Sequence, residues 1–457
     1  MLRGRRVVVA LAALGALVAT AACSADDEPK AVPSTSSTPQ GPTLLTFAVY
    51  GPPQVVTAYT KIAADFSVHH PDTVVNIQPY DNRAEASEAI QRQIAAGDPP
   101  DAFLAGLDDL PRLVEEKAVR RLDELLGERH VDFGDGYQRD ALEAFSSENA
   151  LQCMPVDVSP LVVYYNVNLI HLPTLTTPDQ RPITAESGWS LDQFAAAARQ
   201  ASHGHVRGVY VAPDLEQVAP FIWSGGGHVV DDLNAPTTLT LSDGASAAAL
   251  QKLLEVVRDP DITFTRQQLA KRSALQRFKS GKLGMILGFR DLTPELRAQA
   301  DLGFDVMPLP KVGSKATIGR VTGVCLSSAS KHPEKMADFL AYAVSDDAMA
   351  QLTATGYVVP TNLDVINSDA FAQPDDMPVS SSVFSSAQRS IHSLPHVATW
   401  PSVAASTAKL LEGLFYEPVI DPLGDRLKAI DAASVPLFTP VPSPSAPVSP
   451  TATGSPR

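Results

Sequence analysis

The stretch LLTFAVYGPPQVVTAYTKIAADFSVHHPDTVVNIQP, residues 44–79, predicts a strand, a helix and a second strand in succession. Residues 44–50 form a short apolar run that ends at Gly51-Pro52-Pro53, which is typical of a turn. Apolar side chains then recur at helical spacing through residues 55–69. Residues 72–79 alternate between polar and apolar side chains, as a half-buried strand does.

The same alternation continues through one more helix and strand. Residues 83–96 repeat Ala and Ile at helical spacing, and Gly97 is placed to end that helix in a left-handed conformation. Residues 101–107 (DAFLAGL) predict another buried strand, and residues 110–126 predict a further helix. Strands that alternate with helices are typical of a parallel sheet with helices on both faces, so the predicted fold class is α/β.

The pattern changes beyond residue 150. Residues 151–166 predict a long extended segment broken by Pro155 and Pro160. Strands and helices then alternate again: helices at 190–202, 246–258 and 265–280, and strands at 208–213, 282–289 and 304–308. Residues 322–328 (TGVCLSS) predict a strand that returns the chain to the first domain, before helices at 333–344 and 345–355. A second α/β domain is therefore predicted between the two halves of the first.

The N-terminus has the features of an export signal. Residues 1–22 combine a basic start, an apolar run and small residues at the end, which predicts a signal peptide. Thr20, Ala21 and Ala22 precede Cys23 and resemble the lipobox of bacterial lipoproteins, in which the cysteine is acylated and becomes the new N-terminus. The alternative is a secretory signal followed by an incidental cysteine. Residues 23–42 are rich in Ser, Thr and Pro, which predicts a lipidated, disordered tether.

Composition limits the function further. The chain has 457 residues, 44% of them hydrophobic, and a formal net charge of −15. A chain this acidic repels phosphate backbones, so nucleic acid is a poor candidate partner. Pro and Ser repeat from residue 436 onwards, and residues 438–457 are predicted to be a disordered tail.

Six stretches, spread in order over nearly the whole folded region, resemble one protein family. They are AYTKIAADFSVHHPDTVVNIQPY (58–80), IAAGDPPDAFL (94–104), MPVDVSPLVVYYNVNLI (154–170), GWSLDQFAAAARQAS (188–202), FKSGKLGMILGF (278–289) and ASKHPEKMADFLAYAVSDDAMAQLTATGYVVPTN (329–362). They resemble the extracellular solute-binding proteins of ABC importers, specifically the maltose and oligosaccharide group (family 1). The resemblance implies a two-lobed periplasmic-binding-protein-like fold (type II), in which two α/β domains are joined by a hinge of crossing strands and close on a ligand.

The resemblance also implies a domain plan and a function. Residues 43–153 would start lobe 1, residues 154–320 would form mainly lobe 2, and residues 321–437 would return to lobe 1 with the C-terminal helices. The chain would capture a sugar or oligosaccharide and deliver it to the permease subunits of an ABC importer. We expect an exported monomer without cofactor or metal, lipid-anchored to the outer face of the cytoplasmic membrane.

Candidate ligand contacts follow strand ends, where α/β folds bind ligands. They are Tyr50, Asp108, Asp109, Asp157, Ser159, Trp223, Arg290, Asp291, Tyr357 and Trp400. By position, the resemblance places Asp108, Ser159, Arg290 and Trp400 at sugar contacts, although the family often has an acid at Ser159 and an aromatic residue at Arg290. A sugar packs its apolar face on aromatic rings, and its hydroxyl groups bind carboxylates and guanidinium groups.

Each of these residues has a plainer interpretation. A Trp or Tyr after a strand is often part of the core instead. Arg290 could equally bind a phosphate or carboxylate on the solute.

The two remaining cysteines, Cys153 and Cys325, lie in segments that the resemblance assigns to neighbouring crossing strands of the hinge. In an exported protein such a pair is expected to form a disulfide, which would tie the hinge strands together. The alternative is a pair of buried free thiols.

Other functions compete with solute capture. An extracellular carbohydrate-active hydrolase would need a pair of carboxylates, which counting alone does not exclude. However, the sequence contains no GxSxG, HExxH or P-loop motif, and His203 and His205 in a polar loop are more typical of solvated side chains than of a metal site. A sensor lipoprotein would share the fold and the site, and a purely structural surface protein would lack a ligand-dependent hinge.

Overall fold

A computed structural model describes residues 41–175 and 182–439 of the chain. The signal peptide, Cys23, nearly all of the tether and residues 440–457 lie outside the described residues. The strands are Thr43–Tyr50 (β1), Thr73–Tyr80 (β2), Ala102–Gly106 (β3), Ser146–Ser147 (β4), Ala150–Leu151 (β5), Cys153–Pro160 (β6), Val162–Asn166 (β7), Arg207–Tyr210 (β8), Leu283–Gly288 (β9), Phe304–Met307 (β10), Thr317–Leu326 (β11) and Ile391–His392 (β12).

The α-helices of the same residues are Pro53–His69 (α1), Arg83–Ala96 (α2), Leu110–Glu115 (α3), Asp123–Gly127 (α4), Arg139–Ala144 (α5), Leu191–Ala201 (α6), Leu215–Ser224 (α7), Gly244–Val257 (α8), Arg266–Lys271 (α9), Ala274–Lys279 (α10), Leu292–Arg297 (α11), Pro333–Ala343 (α12), Asp346–Thr353 (α13), Leu363–Ile366 (α14), Asp369–Ala372 (α15), Ser382–Ala387 (α16), Trp400–Tyr416 (α17) and Leu423–Phe438 (α18). Single 3₁₀ turns occur at Leu107–Asp109, Leu172–Thr174 and Gln388–Ser390. None of these described helices is long and apolar enough to cross a membrane.

The first sheet has the order β12-β11-β3-β1-β2, and β6 pairs with β11. β1 runs parallel to β2 and β3, as the strand–helix–strand pattern of the sequence predicts. β11 runs antiparallel to both β3 and β6, so the sheet is mixed and not entirely parallel. We call the part built around β1–β3, with α1, α12 and α13, the first lobe.

The core of the first lobe forms where β1 meets α1 and α12. Phe47 is fully buried, and its ring lies edge-on to Tyr59 at 5.4 Å and to Phe339 at 5.6 Å between centroids. Perpendicular aromatic pairs of this kind add to the stabilisation that burial provides. Gly97 ends α2 with φ 76°, the left-handed conformation that the sequence predicts.

Two neighbouring strands, β6 and β11, carry the chain between the first sheet and the second. Their pairing runs from Gly319–Pro160 to Cys325–Cys153, with a bulge between Thr322 and Gly323. A disulfide joins Cys153 to Cys325, with an S–S distance of 2.02 Å, at the first-lobe end of this pair. Residue 161 separates β6 from β7, so the extended segment 151–166 belongs to both sheets.

The second sheet has the order β10-β7-β9-β8 and defines the second lobe, together with α6, α7 and α8. A capping box starts α6: Gln193 N–H donates to Ser190 Oγ at 3.2 Å, and Ser190 N–H donates to Gln193 Oε1 at 2.8 Å. Both lobes are therefore α/β, as the sequence indicates.

The C-terminal helices pack on the second lobe and not on the first, which corrects the assignment of residues 321–437. Val403 and Leu411 of α17 and Leu427 of α18 are buried in the core of the second lobe. Asp431 of α18 also accepts hydrogen bonds from the backbone N–H groups of Leu241 and Ser242 at 2.8 and 2.9 Å. α17 packs against α7 and α8, and α18 packs against α8.

The segment between α13 and α17 packs on both lobes. Ile366, Phe371 and Phe384 share a buried cluster with Tyr164 and Phe304 of the second sheet, whereas Val358 and Val365 are buried in the core of the first lobe. α18 extends to Phe438, which is buried, so residues 436–438 are helical although they begin the Pro/Ser-rich segment.

Two predicted helices are each broken in two. Residues 110–126 form α3 and α4, because Lys117 adopts φ 52° and Val119 pairs with Ser327. Residues 265–280 form α9 and α10, because Arg272 is extended and Ser273 caps the second helix by accepting a hydrogen bond from Gln276 N–H. In both cases a local backbone requirement overrides a continuous apolar pattern.

Candidate functional site

A cavity of about 890 Å³ lies between the two lobes at the crossing strands, and we call it the cleft. The first lobe lines it with Tyr50, Tyr59, Asp81, Asn82, Arg83, Glu88, Asp108 and Asp109; the crossing strands with Asp157, Ser159, Arg320 and Thr322; and the rest of the chain with Glu216, Phe289, Asp291, Tyr357 and Pro401, among others. The β1 and β2 ends and the start of α2 form one wall, as expected for ligand sites at the carboxyl ends of parallel strands.

The structure brings seven of the ten sequence-derived candidates together in this cleft. They are Tyr50, Asp108, Asp109, Asp157, Ser159, Asp291 and Tyr357. Trp223, Arg290 and Trp400 do not line it.

Arg83 and Asp108 form the ion pair of the first-lobe wall. Arg83 Nη2 donates to Asp108 Oδ2 at 2.5 Å, and His396 Nδ1 lies 3.3 Å from Asp108 Oδ1. Burial alone would raise the pKa of Asp108, but the hydrogen bonds with His396 and Arg83 hold this pKa well below its ordinary value. Asp108 therefore stays ionised and keeps Arg83 in place at the start of α2.

Asp109 has a structural task next to this pair. Its carboxylate accepts hydrogen bonds from Ser87 Oγ at 2.7 Å and from Gly106 N–H at 3.2 Å. These bonds fix the turn after β3 against α2. Because both carboxylate oxygens already have partners, Asp109 shapes the wall more than it offers a free acceptor.

Arg320 and Glu216 form the corresponding pair on the opposite side. Arg320 Nε and Nη2 donate to the two carboxylate oxygens of Glu216 at 3.0 and 2.8 Å. The guanidinium group lies 4.0 Å from the ring centroid of Phe289, a cation–π contact. The Arg320 guanidinium group on β11 is therefore fixed by the Phe289 ring on one face and by the Glu216 carboxylate of α7 at its edge.

Asp157 lies on β6 and differs from the paired acids of the cleft because, in the part of the chain that the structure describes, it has no cationic partner. Its Oδ1 accepts a hydrogen bond from Val359 N–H at 2.7 Å, and Oδ2 has no hydrogen-bond partner among the described residues. Burial, together with the negative charge of Asp291, raises the pKa of Asp157 to about 8, although the bond from Val359 lowers it. A protonated Asp157 can donate a hydrogen bond, and an ionised one can accept.

Ser159 follows two residues later on the same strand and is 4% exposed. Its hydroxyl oxygen accepts a hydrogen bond from Arg290 N–H at 2.9 Å, which ties β6 to the loop after β9. Ser159 therefore positions that loop as well as lining the cleft.

Aromatic rings flank the polar groups. The Tyr50 hydroxyl shares a 2.9 Å hydrogen bond with Thr322 Oγ1, and burial raises the pKa of Tyr50 to about 12. Tyr59 is 3% exposed at the base, and Phe289 and Tyr357 line the cleft from other segments. Rings beside fixed donors and acceptors suit a ligand with apolar faces and polar edges.

Arg290 does not contact the cleft, which corrects its assignment as a ligand contact. Its side chain is 0% exposed, between the rings of Phe371 and Phe384 at 5.0 and 5.1 Å. The guanidinium group donates to Ser381 Oγ, Phe371 O and Gln373 Oε1 at 3.2–3.3 Å. Burial lowers the pKa of Arg290 to about 10. The hydrogen bonds of its guanidinium group hold residues 371–381 against the second lobe.

The two tryptophan candidates also lie elsewhere. Trp223 stacks on His392, 5.2 Å between centroids, beside a separate cavity of about 320 Å³. Trp400 lines an adjoining cavity of about 240 Å³, which shares Arg83, Asp108, Glu216 and Arg320 with the cleft. Its ring centroid lies 6.3 Å from that of Phe438, and its assignment as a ligand contact stays a prediction.

Sequence reasoning missed Arg83, Glu216 and Arg320. Arg83 and Glu216 each follow a strand end by a few residues, at the first turns of α2 and α7, so the strand-end rule could have found them. Arg320 lies inside β11, which the sequence interpretation began only at residue 322. Within the described residues, no group of three or more His, Cys, Asp or Glu side chains is arranged to hold a metal ion.

A comparison with known protein families assigns the chain to one of them. Residues 61–379 match the family model of the bacterial extracellular solute-binding proteins. The chain belongs to this family. No curated protein sequence matches the chain.

Solved structures of similar fold are two-lobed binding proteins. The ABC substrate-binding protein Lmo0181 of Listeria monocytogenes, in complex with cycloalternan, is 18% identical, with a TM-score of 0.72 over 86% of this chain and 98% of that one. The GacH receptor of Streptomyces glaucescens, solved unliganded and with acarbose, is 19% identical, with a TM-score of 0.70 over 87% and 99%. The cyclic α-maltosyl-1,6-maltose binding protein of Arthrobacter globiformis is 16% identical, with a TM-score of 0.69 over 87% and 99%. At these identities the likeness establishes the two-lobed fold of this solute-binding protein.

Proposed function

We propose that this solute-binding protein captures a sugar or oligosaccharide in the cleft and delivers it to the permease subunits of an ABC importer. The observation that carries the proposal is the combination, in one interlobe cavity of about 890 Å³, of rings with fixed charged groups. Tyr50 and Tyr357 are partly exposed rings that offer surfaces for pyranose faces. The Arg83–Asp108 and Arg320–Glu216 pairs offer oriented donors and acceptors for hydroxyl groups.

The ligands of the structural neighbours support the same class of solute. The proteins compared above were solved with cycloalternan or acarbose, or are described as binding a cyclic maltosyl-maltose. All three ligand names are those of oligosaccharides or their analogues. The volume of the cleft suits a solute of more than one sugar ring, since drug-sized ligands occupy pockets of roughly 300–1,000 Å³.

The proposed function also implies a cellular location and an oligomeric state. We propose an exported monomer, lipid-anchored through Cys23 and held on its tether at the outer face of the cytoplasmic membrane. Tethering raises the effective concentration of a binder near a permease in the same membrane. The protein would bind and release its solute unchanged, without catalysing a reaction.

Thermal melting against a panel of sugars, sugar phosphates and other polar solutes tests the proposal. A ligand at 100 times its dissociation constant stabilises the folded protein by about 2.7 kcal/mol. We expect stabilisation by at least one neutral or amino carbohydrate, and its loss in Asp108→Ala. Asp123→Ala is the control, because it removes a partly exposed ion-pair partner of Arg121 outside the cleft. Stabilisation by anionic solutes alone, or by none, would contradict the proposal.

A further inference from the structure

We propose that the solute of this cleft is an amino sugar or related polyhydroxylated amine, whose ammonium group pairs with the carboxylate of Asp157. The inference deepens the function proposed above and rests on it. The charge of the ligand is inferred from the acidic and basic side chains that line the cleft.

The first observation is that both cationic side chains of the cleft are already neutralised. Seven carboxylate residues and two arginines line the cavity, with no lysine or histidine among its lining residues. Arg83 pairs with Asp108 at 2.5 Å, and Arg320 binds both oxygens of Glu216. An anionic solute would have to displace a carboxylate from one of these pairs, and it would meet the remaining acids at close range.

The second observation is a carboxyl group in the lining of this acidic cavity with one oxygen that has no partner among the described residues. Asp157 uses Oδ1 to accept from Val359 N–H, and Oδ2 has no partner among the described residues. The side chain is partly buried on β6 and lines the cleft. An acid withdrawn from water without a cation beside it is costly, and a ligand cation removes that cost.

The groups around Asp157 also favour a cation beside its carboxylate. The titratable groups that influence it are Tyr50 from β1, Tyr59 from α1 and Asp291 before α11. Asp291 is a second carboxylate, and its nearest cationic atom, Arg320 Nη1, lies 3.8 Å away, beyond hydrogen-bond distance. The cation on the neighbouring strand is Arg320, and it is paired with Glu216. The space before Oδ2 is therefore electrostatically suited to one positive charge.

Protonation makes the pairing measurable. Burial and Asp291 raise the pKa of Asp157 to about 8, so near neutral pH the empty cleft holds this residue mainly as the neutral acid. When an ammonium group binds, Asp157 loses its proton to solvent and becomes the counter-ion. Binding of an amine should therefore release close to one proton, whereas binding of a neutral sugar should release none.

Matched ligands provide the test. Mono- and disaccharides are titrated calorimetrically at pH 6.5 as sets of the neutral sugar, its 2-amino form, its N-acetylated form and its uronic acid. We expect the best amino form to bind about 10- to 100-fold more tightly than its neutral and N-acetylated counterparts, the range of a charge-assisted hydrogen bond. Repeating the titration in buffers of different ionisation enthalpy measures proton release.

A substitution assigns the effect to one residue. Asp157→Asn keeps an oxygen that can accept from Val359 N–H, and we expect it to abolish both the preference for the amine over its neutral counterpart and the proton release. Asp375→Asn, an exposed carboxylate outside the cleft, is the matched control and should retain both.

The outcomes separate the two proposals. Neutral or N-acetylated sugars that bind as tightly as the amino forms, or a wild-type preference that survives in Asp157→Asn, would overturn the amine assignment and leave carbohydrate capture standing. Binding of none of these carbohydrates would overturn both.

Discussion

Arg320 and Glu216 form a two-point ion pair, at 3.0 and 2.8 Å, that connects the crossing strand β11 to helix α7 of the second lobe. The two side chains remain 47% and 36% exposed. Ion pairs this exposed contribute little to the free energy of unfolding, about 0–1 kcal/mol. The pair therefore serves mainly to orient a planar guanidinium group, backed by Phe289, at the place where the lobes face each other.

Replacing Arg320 should affect ligand binding far more than stability. For Arg320→Ala, we expect the dissociation constant of the carbohydrate ligand to rise at least about tenfold, because charge-assisted hydrogen bonds are lost. The urea midpoint should change little. Titration calorimetry and urea unfolding measure the two effects. Arg121→Ala removes a similarly exposed pair with Asp123 away from the cleft and is the control. Equal affinity in both variants would contradict this role.

Asp157 should make stability depend on pH. Its pKa of about 8 in the folded protein exceeds the value near 4 of an unfolded aspartate. Between about pH 4 and pH 8 the folded chain retains a proton that the unfolded chain has lost, so this group lowers stability as the pH rises. Asp157→Asn should therefore stabilise the empty protein by at least about 1 kcal/mol more at pH 8 than at pH 4.5.

Urea unfolding at the two pH values measures this difference. Asp375→Asn should show no such dependence. If Asp157→Asn changed the unfolding free energy equally at both pH values, the raised pKa would be refuted.

The Cys153–Cys325 disulfide links residues 172 positions apart on adjacent strands. A bond that closes so long a loop restricts the unfolded chain, so Cys153→Ala/Cys325→Ala should lose about 2–4 kcal/mol of unfolding free energy. Neither cysteine lines the cleft, and ligand affinity should stay within about threefold. Urea midpoints and ligand titrations check both statements. Two thiols that react with an alkylating reagent in unreduced protein would contradict the bond.

Arg290 should prove to be a structural residue. Arg290→Met removes the guanidinium hydrogen bonds to Ser381, Gln373 and the Phe371 carbonyl, and leaves these acceptors without that donor. We expect a loss of about 2–4 kcal/mol of stability with ligand affinity of the folded protein unchanged. Arg92→Met, at an exposed arginine, is the control for stability. A large loss of affinity without loss of stability would restore Arg290 as a ligand contact.

The sequence predicts the elements of the fold well where patterns are local. The β1–α1–β2–α2–β3 succession is observed with bounds shifted by one or two residues, and the turn at Gly97 is observed as predicted. Local patterns do not reveal which lobe a helix covers. α17 and α18 have ordinary amphipathic sequences, and their place on the second lobe depends on tertiary contacts such as that of Asp431 with Leu241.

The same limit applies to the site. Strand ends identify Tyr50 and Asp108, because the carboxyl ends of strands meet at one edge. Asp157 lies within β6 and is indicated only by the family resemblance, which makes this segment a crossing strand. Arg290 also follows a strand near that edge, yet its side chain is buried between Phe371 and Phe384. Trp223 lies in α7 and lines a separate cavity. The pairs Arg83–Asp108 and Arg320–Glu216 join residues 25 and 104 positions apart, and no local pattern indicates such partners.

The most direct test of the central claim is a crystal structure of the protein with its best-binding carbohydrate. We expect ligand density in the cleft, with ring faces against Tyr50 or Tyr357 and a polar group within hydrogen-bond distance of Asp157. Density instead in the cavity beside Trp223 and His392, or on the outer surface of either lobe, would contradict capture between the lobes.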